Sequence, residues 1–366
     1  MTSIESPHAN RASESRHSQN GASKALFFFE RAHAASMRAM QSPQKPVERF
    51  LNIGGAIVRL RFASAQLHRL VLPALEHLTA EPTQDAELTV WLWDSSSTGV
   101  AMPRPTWLPE SVTFRGDVPG YNDHRMSTAF QADASLLSIL DSEKNEAIYW
   151  IRDAQCMPLY ERAAPLLRVF HSWLQRRGQQ VVHAAAVGTP SGGVLLAGRG
   201  GAGKSNTAMA CMNGGLLYAA DDYCVLSPGS VPAVSSLYSS GKTHSEDVCR
   251  LSFLAPLISN HENLGTEKAL YFFHDSFADK LITDFPLRAI LLPRVTGGRH
   301  TSLKAASPAA GVLALSPSTL LQLPGSSRET IEIIAGVCRQ VPVYHIELGT
   351  DTEAIPGIIA PLLSPT

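Results

Sequence analysis

The chain of 366 residues has no long apolar run and almost no net charge. No uninterrupted hydrophobic segment approaches the roughly 20 residues that a membrane-spanning helix needs, and the polar first residues do not form a signal peptide. With 31 Lys and Arg against 32 Asp and Glu, no overall field favours nucleic acid or an anionic membrane. We therefore expect a cytoplasmic protein that binds neither nucleic acid nor membrane.

Cysteine is also scarce, with five residues in the whole chain. They form no CxxC pair and no cluster with histidine of the kind that binds zinc, which argues against a metal site of that type. We predict that all five are free, buried thiols in a reducing compartment. The five tryptophans lack interleaved basic residues, so they do not indicate a nucleic-acid surface either.

Composition divides the chain into three segments. Residues 1–46 are polar at first and end in the sequence QSPQKP, which predicts a disordered or loosely docked arm. Residues 47–152 combine alternating strand patterns with one helical pattern, and we expect a small α+β domain that is a candidate for substrate binding. Residues 153–366 alternate strands with helices, which is typical of an α/β domain built on one sheet.

A glycine-rich turn in the third segment carries the strongest motif. The sequence GVLLAGRGGAGKSNTAMACM places G-x-x-x-x-G-K-S between an apolar strand and a helical run, the arrangement of a P-loop (Walker A). Glycine reaches the backbone angles that let successive N–H groups point at phosphate oxygens. The alternative is a turn without a ligand. We expect nucleotide phosphates to be bound by Gly198, Arg199, Gly200, Gly201, Ala202, Gly203, Lys204, Ser205 and Asn206.

Two adjacent carboxylates follow at the end of the next apolar stretch. Asp221 and Asp222 come directly after residues 216–220, and in a parallel sheet that strand end would lie beside the P-loop. One carboxylate can hold Mg²⁺, with Ser205 as a second ligand, while the other accepts a hydroxyl proton. Adjacent carboxylates raise the pKa of one another, which suits a general base. The alternative is an ordinary turn with a solvated acidic pair.

The segment from about Val181 to Leu226, with HAAAV, the P-loop and GLLYAADDYCVL, resembles the kinase domain of bacterial HPr kinase/phosphorylase. It is more similar still to the HPr-kinase-like proteins encoded beside peptide-modification genes, including kinases of lasso-peptide precursors. The resemblance implies a P-loop kinase fold, in which a mixed sheet is flanked by helices, with a smaller N-terminal α+β domain. It also implies ATP and Mg²⁺ as cofactors and a homo-oligomer.

The same resemblance implies roles for single residues. His183 would lie near the transferred phosphoryl group, Lys204 and Ser205 would hold phosphates and Mg²⁺, Asp221 would be the general base and Asp222 would help to bind the metal. Two departures concern phosphorolysis. Asn206 stands where the bifunctional enzymes usually have Glu, and no EIRG-like stretch follows, so we expect neither phosphorylase activity nor HPr as the acceptor.

Four further residues have weaker patterns. Lys242 in a Ser/Gly-rich loop and Arg294 after a buried strand are candidate phosphate clamps, and each is also a common surface residue. His183 lies on an apolar strand, where a hydrogen-bonded core histidine is as reasonable as a catalytic one. Lys268 is predicted to be a solvated loop residue.

The P-loop and the acidic pair predict an ATP-dependent kinase, and the resemblance implies that it phosphorylates a serine of a protein or of a modified-peptide precursor. Two alternatives stay open at the level of the sequence. One is an ATP-binding regulatory module without turnover, and the other is a small-molecule kinase with the same core. The acidic pair distinguishes the first alternative, because a protein that only binds ATP needs no base near the γ-phosphate.

Overall fold

The computed structural model describes residues 8–323, 325 and 328–364, with side chains described from residue 24 onward. The α-helices in this part of the chain are α1 (His8–Met40), α2 (Ala65–Val71), α3 (Ser95–Thr98), α4 (Leu159–Ala163), α5 (Leu167–Arg176), α6 (Lys204–Asn213), α7 (His274–Phe277), α8 (Pro308–Gln322), α9 (Arg328–Gln340) and α10 (Ile355–Ile359).

The strands are β1 (Val47–Ile53), β2 (Ala56–Phe62), β3 (Leu88–Asp94), β4 (Met126–Gln131), β5 (Leu136–Asp141), β6 (Glu146–Ile151), β7 (Gln180–His183), β8 (Ala185–Thr189), β9 (Gly192–Leu196), β10 (Leu217–Ala220), β11 (Tyr223–Ser227), β12 (Ala233–Ser236), β13 (Ser240–Thr243), β14 (Ala269–Phe272), β15 (Asp284–Val295), β16 (Ser302–Ala306) and β17 (Val343–Leu348). In the described residues they form a mixed α/β structure with two mixed sheets and a separate two-stranded antiparallel sheet, β13–β14.

The chain divides into two compact units, and the division is not sequential. Residues up to 48, 59–68 and 87–156 form the first unit, and residues 49–58, 69–86 and 157 onward form the second. Segments of the predicted 47–152 domain are therefore found in both units. Strands β3 to β6 lie in the first unit, within a six-stranded sheet of order β1-β2-β3-β6-β5-β4 in which β3 and β6 are parallel and β6, β5 and β4 antiparallel.

Helix α1 packs into the core of the first unit. Its buried residues recur every three or four positions and so share one helical face: Ala25, Phe28, Phe29, Ala32, Ala35 and Ala39. This face belongs to one cluster with Trp93, Ile139 and Trp150 of the sheet. Residues 25–39 are thus not a loosely docked arm, because their small and aromatic side chains complete the core. The first seven residues of the predicted arm lie outside the described residues.

The second unit is built on a nine-stranded sheet. Its main order is β10-β8-β9-β15-β12-β11-β7, with β17 paired to β15 and β16 paired to β17. The pairs β9–β15 and β15–β17 are parallel, and the others that we describe are antiparallel. Successive side chains of β15 point to opposite faces of the sheet and join two hydrophobic cores. Leu291 packs with α6 on one face, whereas Ile290 and Leu292 pack with α8 and α9 on the other.

The two ends of this sheet order are joined by very short connections. Strands β10 and β11 are separated only by Asp221 and Asp222, and strands β7 and β8 only by Ala184. Connections of one or two residues require the ends of the sheet to lie close together, so the sheet is strongly curled. The Ser236 hydroxyl of β12 donates a hydrogen bond of 2.5 Å to the Ala219 carbonyl of β10, which links strands from the two ends of the sheet order. Asp221 and Asp222 therefore lie where the curled sheet closes.

All five cysteines are free thiols, as the sequence predicts. Cys211, Cys224 and Cys338 are buried, but Cys156 and Cys249 are exposed. The prediction of buried thiols is wrong for these two, because both lie in surface 3₁₀ turns rather than in strands or core-facing helices.

Candidate functional site

The P-loop connects strand β9 to helix α6. Gly201 and Gly203 have φ angles of 78° and 102°, in the region that favours glycine. A Cβ atom on Gly203 would also lie 2.6 Å from Cδ1 of Leu348, so backbone and packing both require glycine there. Helix α6 begins at Lys204 and directs its unpaired N–H groups and positive dipole end into the turn. The turn therefore has the features of an anion site.

The Lys204 side chain folds back across the loop. Its Nζ donates to the Gly198 carbonyl at 2.8 Å and to the Arg199 carbonyl at 3.3 Å, and the residue is buried. Burial lowers the pKa of Lys204, while the charges of Asp222 and Asp221 oppose that change. Both carboxylates thus interact electrostatically with the P-loop lysine. Asn206 lies half-buried in the first turn of α6.

Asp221 and Asp222 reach the P-loop by a topology that the sequence did not predict. Strand β10 is not the parallel neighbour of β9, since β8 lies between them and is antiparallel to both. Two successive antiparallel pairings make β10 and β9 run in the same direction. The end of β10 that carries the acidic pair is therefore at the same end of the sheet as the P-loop.

The Asp221 carboxylate is almost completely buried, with 2% exposure. Oδ2 accepts a hydrogen bond from the Lys242 amide at 2.9 Å, whereas Oδ1 is buried without a hydrogen-bond partner among the described residues. Burial, and secondly the charge of Asp222, raise the pKa of Asp221 to about 6, although Ser205 and Lys242 offset part of the shift. A carboxylate with this pKa and a vacant acceptor atom is suited to take up a proton near neutral pH.

Asp222 is held by two basic side chains. The Lys242 ammonium lies 2.5 Å from Oδ2, and Nε2 of His183 lies 3.5 Å from Oδ1. Burial alone would raise the pKa of Asp222, but the Lys242 charge and the interaction with His183 outweigh it and hold the pKa far below its usual range. The two adjacent aspartates therefore differ, because Asp222 is a firmly ionised anchor and Asp221 is a titratable group.

His183 is the last residue of β7 and lies opposite Tyr223 of β11. Its backbone N–H donates to Oγ1 of Thr319 on α8 at 3.2 Å, and its ring centroid lies 5.3 Å from that of Tyr223. The strand that it ends is not the neighbour of β9, since that neighbour is β8 after Ala184. Thr319 has no sequence signal that could have identified it, because it lies 136 positions away.

Lys242 lies on strand β13 of the two-stranded β13–β14 sheet, not in an exposed loop. Its side chain is 18% exposed and faces Asp222. The preceding Gly241 packs against the P-loop helix so closely that an added Cβ would lie 2.6 Å from Cε of Met209. The β13–β14 sheet thus holds Lys242 beside the acidic pair.

Arg294 does not join this cluster in any contact that we observe. It lies on β15 opposite Glu347 of β17, and the pKa of Glu347 is lowered chiefly by its hydrogen bond with Lys304 and to a smaller extent by the charge of Arg294. Val295, the next residue, lies near Gly203 of the P-loop, and alternation along the strand directs Arg294 to the opposite face. Arg294 therefore lies on the surface near Glu347, whose ion pair is with Lys304.

The oxygen ligands at the site are compatible with Mg²⁺. Mg²⁺ is commonly held by one or two carboxylates together with substrate phosphates, and it needs no all-protein cage. Ser205 and Asp222 supply hard oxygen atoms of this kind, and the adjacent Asp221 has a buried Oδ1 without a partner in the described residues. In the same part of the chain no group of three or more His, Cys, Asp or Glu residues could bind a metal alone.

No protein-family model matches the chain, and no curated protein does. Among the solved structures that match is the HPr(Ser) kinase/phosphatase from Coxiella burnetii, with 13% sequence identity and a TM-score of 0.28. The match covers 50% of this chain and 93% of that chain. At this TM-score the likeness supports no conclusion about activity. Within the described residues, no helix is long and apolar enough to cross a membrane.

Proposed function

We propose that the protein is an ATP-dependent kinase that transfers the γ-phosphoryl group to a serine hydroxyl of a protein or peptide. The observation that supports this most strongly is the Asp221 carboxylate, which is buried beside the P-loop residue Ser205, has a raised pKa, and has an Oδ1 without a hydrogen-bond partner among the described residues. A module that only binds nucleotide has no use for such a group. An ordinary acidic turn, for its part, would keep both carboxylates in solvent.

Different residues of the chain bind the phosphates, accept the proton and hold the metal. The amides of the P-loop and the start of α6 hold the nucleotide phosphates, and Lys204 neutralises their charge. Asp221 Oδ1 takes the proton of the seryl hydroxyl as the oxygen–phosphorus bond forms and the bond to the nucleoside diphosphate breaks. Ser205 and Asp222 would hold Mg²⁺, which when bound adds positive charge to the phosphates.

Lys242 and His183 orient Asp222 and hold it in its ionised form. Because the Lys242 ammonium is next to the acidic pair, it is also a candidate to neutralise charge on the transferring group. Most of the rate enhancement in this chemistry comes from positioning and electrostatics, and the cluster supplies both without a covalent intermediate.

The direct test is incubation with γ-labelled ATP, Mg²⁺ and the peptides or proteins encoded beside the gene, followed by mass spectrometry. We expect phosphate on a serine with wild-type protein and none with Asp221→Asn, which keeps the shape of the side chain. ATP binding should be retained by that variant. Phosphoryl transfer at a comparable rate by Asp221→Asn would show that Asp221 is not the base.

A further inference from the structure

A second lysine, Lys268, lies directly before the strand that pairs with the strand of Lys242. In the antiparallel ladder Lys242 pairs with Leu270, and Lys268 lies two positions before Leu270. Side chains two positions apart on a strand point to one face, and diagonal neighbours across two strands are about 7–8 Å apart. The opposite face is occupied, since Gly241 contacts Met209 and Thr243 bonds Tyr271 at 2.8 Å. Lys268 is the residue before β14, so the alternation of that strand, continued by one residue, places Lys268 on the face of Lys242, which meets Asp222.

The backbone around Lys268 is fixed by a buried asparagine. Asn260 is completely buried, its Nδ2 donates to the Lys268 carbonyl at 2.9 Å, and its Oδ1 accepts the Leu270 amide at 2.9 Å. A side chain that spans both residues in this way determines where the strand begins. Lys268 is thus an exposed residue whose backbone carbonyl is held by a buried side chain.

Lys268 also interacts with the P-loop lysine. Burial lowers the pKa of Lys204, and the positive charge of Lys268 acts in the same direction. In the part of the chain that we describe, Lys204 is bonded to loop carbonyls and Lys242 is paired with Asp222, while Lys268 forms no ion pair. Three lysines near an anion-binding turn, of which only Lys242 has an ion-pair partner among the described residues, favour a ligand of high negative charge.

We propose that Lys268 binds the terminal phosphate of the nucleotide, so that the site discriminates a nucleoside triphosphate from a diphosphate. This inference rests on the proposed function, because it assumes a nucleotide in the P-loop. Lys268 then has a role that differs from that of Lys204. Lys204 is part of the turn that holds every phosphorylated nucleotide. Lys268 approaches from the start of β14 and contacts the phosphoryl group that is transferred.

The test is the affinity of the full chain for ATP and for ADP, each with Mg²⁺, measured by calorimetry. Lys268→Gln should weaken ATP binding about 10-fold, the size expected for one charge-assisted phosphate contact, and change ADP binding less than about 2-fold. Lys268→Arg, which keeps the charge, should restore most of the ATP affinity. Lys280→Gln is the matched control, since Lys280 lies over the Phe277 ring and belongs to the same unit.

Two outcomes separate this inference from the proposed function. If Lys204→Ala abolishes binding of both nucleotides while Lys268→Gln leaves the ratio of ATP to ADP affinity unchanged, the role of Lys268 is wrong and the kinase proposal stands. Unchanged ATP binding by Lys204→Ala would contradict the P-loop assignment itself, and the inference about Lys268 would fall with it.

Discussion

The ammonium of Lys242 lies 2.5 Å from Oδ2 of Asp222, and the amide of the same lysine donates to Asp221. One residue therefore holds both carboxylates with different atoms. The backbone bond survives any substitution except proline, whereas the ion pair depends on the side chain. The two interactions can be separated by mutation.

We expect Lys242→Met to destabilise the protein at neutral pH by about 2 kcal/mol, since it leaves a largely buried Asp222 without its charge partner. A carboxyl group with a lowered pKa stabilises the fold above its unfolded pKa and loses that contribution as the pH falls. The difference from wild type should therefore shrink towards acid pH in thermal melts. Lys280→Met serves as control, and a difference that does not vary with pH would contradict the ion-pair argument.

Asp221→Asn tests the raised pKa of Asp221 by stability as well as by activity. A raised folded pKa means that the protonated carboxyl favours the folded state, so stability is lost as the pH rises through about 6. Asparagine mimics the protonated form, and its side-chain oxygen can still accept the Lys242 amide. We expect the variant to be more stable than wild type at pH 8, by about 1–3 kcal/mol, and equal to it near pH 4.

Phosphoryl transfer should increase over the pH range in which Asp221 loses its proton, whereas stability decreases over that range. In the wild-type protein, kcat/KM for the proposed transfer is expected to rise as Asp221 loses its proton around pH 6 and then to level off. A profile that is flat from pH 5 to pH 8, with binding intact, would contradict base catalysis by this carboxylate.

The P-loop could be predicted because its glycines, lysine and serine are adjacent and each has a local reason. The acidic pair could be identified for the same reason. The strand order that brings Asp221 and Asp222 to the P-loop could not be predicted. Nothing local in HAAAV indicates that the strand breaks at Ala184 and continues in another part of a curled sheet. The roles of Thr319 and Asn260 likewise depend on long-range packing, which a single sequence does not encode visibly.

Helix α1 shows the opposite error, in which composition misled. The first residues are polar, yet the pattern of alanines and phenylalanines from residue 25 to residue 39 repeats at helical spacing. The average composition of residues 1–46 conceals that buried face. A local hydrophobic pattern was therefore more informative than the mean over the segment.

Phe27 and Phe28 offer a matched pair for the packing of α1. Phe28 is fully buried, with its ring 4.7 Å from that of Trp107, whereas Phe27 is 57% exposed. We expect Phe28→Ala to cost about 3–5 kcal/mol and Phe27→Ala to change stability by less than about 0.5 kcal/mol. Denaturant titration followed by tryptophan fluorescence measures both. Similar small effects would mean that α1 is held loosely after all.

Thr319 is predicted to position His183 without touching the nucleotide. Its Oγ1 accepts the His183 amide at 3.2 Å from a buried site on α8, so Thr319→Val leaves a buried N–H without an acceptor. We expect kcat to fall about 10-fold with little change in the KM for ATP, because the displacement affects the transferred group and not the P-loop.

Thr319→Ser is the control for that experiment, since it retains the hydroxyl and loses only a methyl group. It should restore kcat to near the wild-type value. A loss that is equal in the valine and serine variants would indicate that the packing of α8, and not the hydrogen bond, supports His183. A rise in the KM for ATP that accounts for the whole loss would place the effect at the P-loop and contradict the positioning role.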